Sequence, residues 1–116
     1  MYRISKTFEF SAAHHLPYLP VHHKCRRPHG HNYTVTVVLE CEVLDPDGFV
    51  TDYGKLEDVK LYIAAELDHR DLNDKLERPT AEFVAELIYN MAAPAHPLLS
   101  EVTVCETPKT SATYRP

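Results

Sequence analysis

With 116 residues, 44% of them hydrophobic and 25% charged, the chain has the length and balance of one globular domain, spanning 1–116, and not of a disordered segment. A net charge of −5 argues against broad nucleic-acid binding, no apolar run approaches a membrane span, and the first residues lack a signal-peptide pattern. Three cysteines, an odd number without an export signal, point to free thiols in a cytoplasmic, reducing setting.

The first element is predicted as a long strand over residues 2–14, in which positions 8, 10, 12 and 14 share one face. Residues 15–28 carry Pro17, Pro20 and Pro28 and are read as an irregular excursion. A second strand follows over 29–43, whose run Asn32-Tyr33-Thr34-Val35-Thr36-Val37-Val38-Leu39 is alternating and β-branched. Asp45-Pro46-Asp47-Gly48 is a turn, and Phe49-Val50-Thr51 a short extended piece.

Asp52 reads as an N-cap, with Leu56, Val59, Ile63 and Leu67 behind it at helical spacing. The stretch Leu67–Asp74 ends that helix in a polar loop. Thr80 caps a second helix whose apolar stripe is Phe83, Val84, Leu87, Ile88 and Met91. Glu101–Thr107 alternates as a third strand, and Ser111–Arg115 forms a fourth. The order ββααββ predicts an α+β fold, with an antiparallel four-stranded sheet and both helices on one face. The other face is left bare in a monomer, which invites self-association.

Chemistry concentrates in His22-His23-Lys24-Cys25-Arg26-Arg27-Pro28-His29-Gly30-His31. His29 and His31 are two apart, so on a strand both rings face one way. His14 ends a separate strand on its patterned face. If the two strands pair, three imidazoles converge, and three neutral nitrogen donors plus one open position is how catalytic zinc is held. An H-x-H pair alone also occurs in solvated loops; the third histidine on its own strand is what separates the two readings. Cys25 lies nearby but outside that set, flanked by Lys24, Arg26 and Arg27, which favour thiolate over thiol. That basic cluster on an acidic chain suits a small anionic ligand.

Five blocks resemble the 6-pyruvoyltetrahydropterin synthase family, and within it the bacterial carboxy branch of queuosine biosynthesis. They are Phe10-Ser11-Ala12-Ala13-His14, Cys25-x-x-x-His29-Gly30-His31-x-Tyr33, Leu67-Asp68-His69-x-x-Leu72-Asn73, Pro79-Thr80-x-Glu82 and Val104-x-Glu106-Thr107. The resemblance implies that His14, His29 and His31 bind zinc, that Cys25 is the general base, and that Asp68 and His69 form a proton relay. It also implies that Glu106 anchors a pterin's amino-pyrimidine edge with Thr107 beside it, and that the substrate is a pterin triphosphate. The implied fold is the tunnelling fold, assembled as an oligomeric barrel, usually a hexamer, with sites shared between subunits. Cys105 departs from the lysine that many relatives carry before the glutamate.

Overall fold

The computed structural model describes residues 1–116. Two thirteen-residue strands dominate it. β1 (Tyr2–His14) and β2 (His29–Cys41) pair antiparallel along their whole length, from Tyr2 opposite Cys41 to His14 opposite His29. β4 (Leu99–Thr107) pairs with β2 through Thr34 opposite Cys105, with a bulge between Val38 and Leu39, and β5 (Thr110–Tyr114) pairs with β4. These four antiparallel strands are those read from the alternation, with ends shifted by one or two residues.

The four-stranded expectation needs one correction. Arg70–Asp71 forms a further short strand, β3, lying parallel to β1 at Ala12 and Ala13, so the sheet is five-stranded and mixed, in the order β3-β1-β2-β4-β5. Two polar residues carry no period, and this strand is set by tertiary bonds to β1. The polar loop expected over Leu67–Asp74 therefore contains regular structure, and its Leu72 is fully buried. Phe49–Thr51 forms no strand.

α1 (Glu57–Glu66) is preceded by a 3₁₀ turn at Tyr53–Leu56, which Asp52 caps through Gly54 N–H at 2.9 Å. α2 (Ala81–Ala92) starts at Thr80, whose hydroxyl accepts from Phe83 N–H. Its buried face is Ala81, Val84, Ala85, Ile88 and Ala92. Phe83, read as part of the stripe, is 45% exposed; the alanines set the phase that lies on the sheet.

The core is a continuous cluster in which Phe8, Phe10, Tyr33, Val35, Val37, Val102 and Val104 of the sheet meet Val59, Ile63, Val84 and Ile88 of the helices. On the opposite sheet face Ser5, Thr7, Glu9, Asn32 and Thr34 are exposed or half-buried, while Val38 and Glu101 are buried. Beyond Ala13 and Ala12, the outer edge of β1 has no strand beside it. No helix is long and apolar enough to cross a membrane.

Candidate active site and metal centre

The β1–β2 register places His14 opposite His29, and Ala12 opposite His31. All three imidazoles therefore stand on the helix-facing side at one end of the sheet, and their ligand atoms lie within 4.8 Å of one another. The hydrogen bonds fix the tautomers. His14 Nδ1–H donates to the Pro79 carbonyl at 2.7 Å, and His29 Nδ1–H donates to the Arg27 carbonyl at 2.7 Å. A carbonyl only accepts, so each Nδ1 holds the proton and each Nε2 keeps its lone pair. His14 Nε2 and His31 Nε2 are buried without a hydrogen-bond partner. Burial, with His14 and His29 nearby, lowers the His31 pKa and outweighs the opposing Glu106 charge. Three converging imidazoles, two of them oriented by carbonyls behind them and two with a buried, unpartnered Nε2, are a donor set that a metal ion fits.

Gly30 lies between His29 and His31. A Cβ there would stand 3.3 Å from the Ala12 carbonyl oxygen, a tight contact that would make the strands give by a few tenths of an ångström at the triad.

Glu106, near the end of β4, puts Oε2 3.7 Å from His31 Nε2. It shares the inner face with Val104 and borders a recess of about 410 Å³ with Glu82, Ala81 and Thr110. Thr107 is next in the chain, but its hydroxyl pairs with Thr110 Oγ1 at 2.9 Å and accepts from Lys109 N–H, closing the β4–β5 turn. Tyr33 stacks on Phe10 and meets His31 edge-on. Burial, reinforced by Glu106, pushes its phenol well above the usual range, so it stays protonated.

Cys25 sits in a 3₁₀ turn, Lys24–Arg26, within the stretch expected to be irregular, and is half-buried. Its N–H donates to His23 Nδ1 at 3.1 Å, and its carbonyl accepts from Leu16 N–H at 2.8 Å. It is not among the clustered ligand atoms, which are three imidazoles alone. The neighbouring Arg26 guanidinium is bonded to the Pro17 and Leu19 carbonyls.

Asp68 and His69 follow α1. Asp68 Oδ1 accepts from Ser11 N–H at 2.9 Å, Oδ2 lies 3.0 Å from His69 Nδ1, and His69 N–H donates to the Ser11 carbonyl at 2.6 Å. The Ser11 amide first, then His69, hold the Asp68 carboxyl below the usual carboxylate range. His69 takes the left-handed region, φ 59°, a strained setting for a residue with a Cβ. Its side chain is 83% exposed and lines a cleft of about 530 Å³ with Ser11, Ala13, Asn32 and His31. The Asp68–His69 pair thus stands at the outer edge of β1, held by the Ser11 backbone, with His69 open to solvent. The triad and Glu106 stand together on the helix-facing side.

The 6-pyruvoyl tetrahydropterin synthase family matches this chain over residues 3–116. The chain belongs to that family. Among its relatives, the 6-carboxy-5,6,7,8-tetrahydropterin synthase of Synechocystis is 38% identical over 98% of this chain and 93% of its own length. The enzyme of the same name from Bacillus subtilis is 33% identical over 99% of this chain and 86% of its own. The solved 6-pyruvoyl tetrahydropterin synthase of Caenorhabditis elegans superposes with a TM-score of 0.86 at 31% identity, covering 99% of this chain and 95% of that one. The resemblance read from the five blocks holds, and the chain is an enzyme of the family.

Two blocks of this family member do more than the sequence suggested. Pro79, beside the Thr80 cap, supplies the carbonyl that orients His14. Asn73 clasps the backbone of His15 at both ends, accepting from its N–H and donating to its carbonyl, each at 2.9 Å. Backbone carbonyls and amide clasps leave no residue-type signal, so neither role was legible before the strands were placed.

Proposed function

We propose that the chain catalyses the zinc-dependent conversion of 7,8-dihydroneopterin triphosphate to 6-carboxy-5,6,7,8-tetrahydropterin, acetaldehyde and triphosphate, as a step of queuosine biosynthesis. The observation that carries the reading is the triad. Three Nε2 lone pairs converge, two of them buried and without any other partner, and no fourth protein ligand joins them. Three ligands with a free position define a catalytic and not a structural zinc site. The names of the full-length relatives support the carboxy reaction over other chemistries of the fold, as does the three-residue gap between Cys25 and His29.

His14, His29 and His31 hold the zinc, which when bound supplies Lewis-acid polarisation of the substrate's side-chain hydroxyls. Cys25 is the general base that removes a carbon-bound proton. It lies four residues before His29 on a turn fixed at both its N–H and its carbonyl, and its sulfur is not among the clustered ligand atoms. Asp68 holds His69 through Nδ1, leaving Nε2 to return a proton. Glu106 accepts two hydrogen bonds from the pterin's N–H groups, with Thr107 beside it as part of the turn. Because His69 is largely exposed at the open edge of β1, the relay serves a site in a second copy of the chain, in a homo-oligomer of hexameric size.

Product analysis by mass spectrometry tests this reading. Zinc-loaded protein incubated with 7,8-dihydroneopterin triphosphate is expected to release acetaldehyde and triphosphate in equal amounts. Triphosphate without acetaldehyde would make the chain a pyruvoyl synthase, and neither product would make it a pterin-binding zinc module.

A further inference from the structure

Arg26 belongs to the basic cluster that the sequence associates with an anion or with the Cys25 charge, but its side chain is engaged otherwise. One nitrogen, Nη1, donates to the Pro17 carbonyl at 2.6 Å and to the Leu19 carbonyl at 2.9 Å. These residues lie seven and nine positions earlier, on the far limb of the excursion that joins β1 to β2. From outside the loop, Asn73 clasps the backbone of His15 and Arg78 stacks over the Tyr18 ring at 4.9 Å. The other ties within the loop are single neutral bonds, among them Leu16 N–H to the Cys25 carbonyl, Leu19 N–H to the Leu16 carbonyl, His23 N–H to the Pro20 carbonyl and Cys25 N–H to His23 Nδ1. Charge-assisted bonds to carbonyls are stronger than these neutral ones. By contrast, the Lys24 and Arg27 side chains make no hydrogen bond or ion pair within the chain.

The position of this clamp gives it a consequence. Arg26 directly follows Cys25, whose own carbonyl is tied to Leu16, and directly precedes Arg27, whose carbonyl orients His29. Prolines at 17, 20 and 28 bar the loop from regular hydrogen bonding at those positions. A loop of this kind must otherwise be held by side chains, and one guanidinium holds its two limbs together beside both the thiol and a metal ligand.

We propose that Arg26 is a positioning residue for Cys25: it fixes the 15–28 loop, and with it the turn that carries the thiol, and it does not bind substrate. The proposal rests on Cys25 being the general base, and its test separates the two claims. In the zinc-loaded protein, Arg26→Met is expected to raise amide hydrogen exchange in residues 16–25 tenfold or more, with β1 and β2 unchanged. Its kcat is expected to fall at least tenfold at every pH, with KM for the pterin triphosphate within about threefold and the limbs of the pH profile unmoved, since geometry and not charge is lost. Arg26→Lys, which keeps a charged donor, is expected to recover most of both. Unchanged exchange in Arg26→Met overturns the clamp. Faster exchange with wild-type kcat overturns the positioning role. A shifted pH limb shows that Arg26 acts through its charge, and a raised KM alone shows that it binds substrate; either overturns the proposal. Cys25→Ala in the same assay reports on the base: full turnover there sinks the general-base reading, and the positioning of a base with it, while the exchange data still decide whether the clamp exists.

Discussion

At the residue scale, three histidines and a cysteine carry the account, and each has a distinct expected failure. Replacing His14, His29 or His31 by alanine leaves two donors and should strip the metal, read by elemental analysis of the purified protein; full zinc in His31→Ala would remove it from the ligand set. Cys25→Ala should keep its zinc, fold and bind substrate, yet lose turnover about a hundredfold or more, as loss of a general base does. Asp68 makes a pH prediction. Its folded-state pKa lies below the ordinary value of 3.8 because Ser11 N–H and His69 favour the carboxylate. Its contribution to stability is therefore complete above that ordinary value and disappears as pH falls through the lower folded-state value. Asp68→Asn keeps an oxygen for Ser11 N–H but has no charge to titrate, so acid unfolding followed by circular dichroism should show a shallower pH dependence below about 4. An identical acid profile would detach Asp68 from Ser11. The convergence of His14, His29 and His31 was legible in the sequence because it follows from residue type and strand spacing. The Pro79 carbonyl behind His14 was not, because it is a backbone atom, and the Asn73 side-chain clasp was not, because its partner is the backbone of His15.

At the element scale, β1 and β2 are the scaffold, and their alternation over thirteen residues each made them readable in advance. β3 was not readable: Arg70 and Asp71 have no period, and they align with β1 only after Asp68 and His69 bond to Ser11. The stripe read for α2 holds at Val84, Leu87, Ile88 and Met91, which are buried or packed against the core, and fails at Phe83. Ala81, Ala85 and Ala92 are what the sheet accommodates at close range, and Phe83 projects outward. The tightest point of the scaffold is Gly30. Gly30→Ala should push the β1 and β2 backbones apart by a few tenths of an ångström between two ligands, costing about 1–3 kcal/mol in stability. Zinc affinity should weaken along with it, measured by competition with a chromophoric chelator. Wild-type zinc affinity in a less stable Gly30→Ala protein would uncouple strand spacing from the triad. At the far end of the sheet, buried His96 is held by Asp58 at 2.9 Å, tying the loop after α2 to α1 and taking no part in the site.

At the scale of the whole molecule, one chain leaves part of its candidate site open. The triad and Glu106 look toward the helices, while His69, 83% exposed, stands at the outer edge of β1 on a cleft shared with Ser11, Asn32 and His31. The bare face and the open edge of β1 were anticipated from the strand order, because a four-stranded sheet with both helices on one side has no other way to end. What the sequence could not show is that Asp68 and His69 bond to Ser11 at the outer edge of β1, since that depends on how the strands are placed. In the proposed homo-oligomer, a second copy completes the site. Mixing Cys25→Ala with His69→Ala subunits, each inactive alone, tests this most directly. After co-refolding with zinc, assembly at a mass well above the 13.3 kDa chain should restore activity to about a quarter of wild type, the statistical share of sites drawing one intact half from each variant. A mixture that assembles, binds zinc and stays inactive, or a 13.3 kDa wild-type monomer with full turnover, would contradict the shared site.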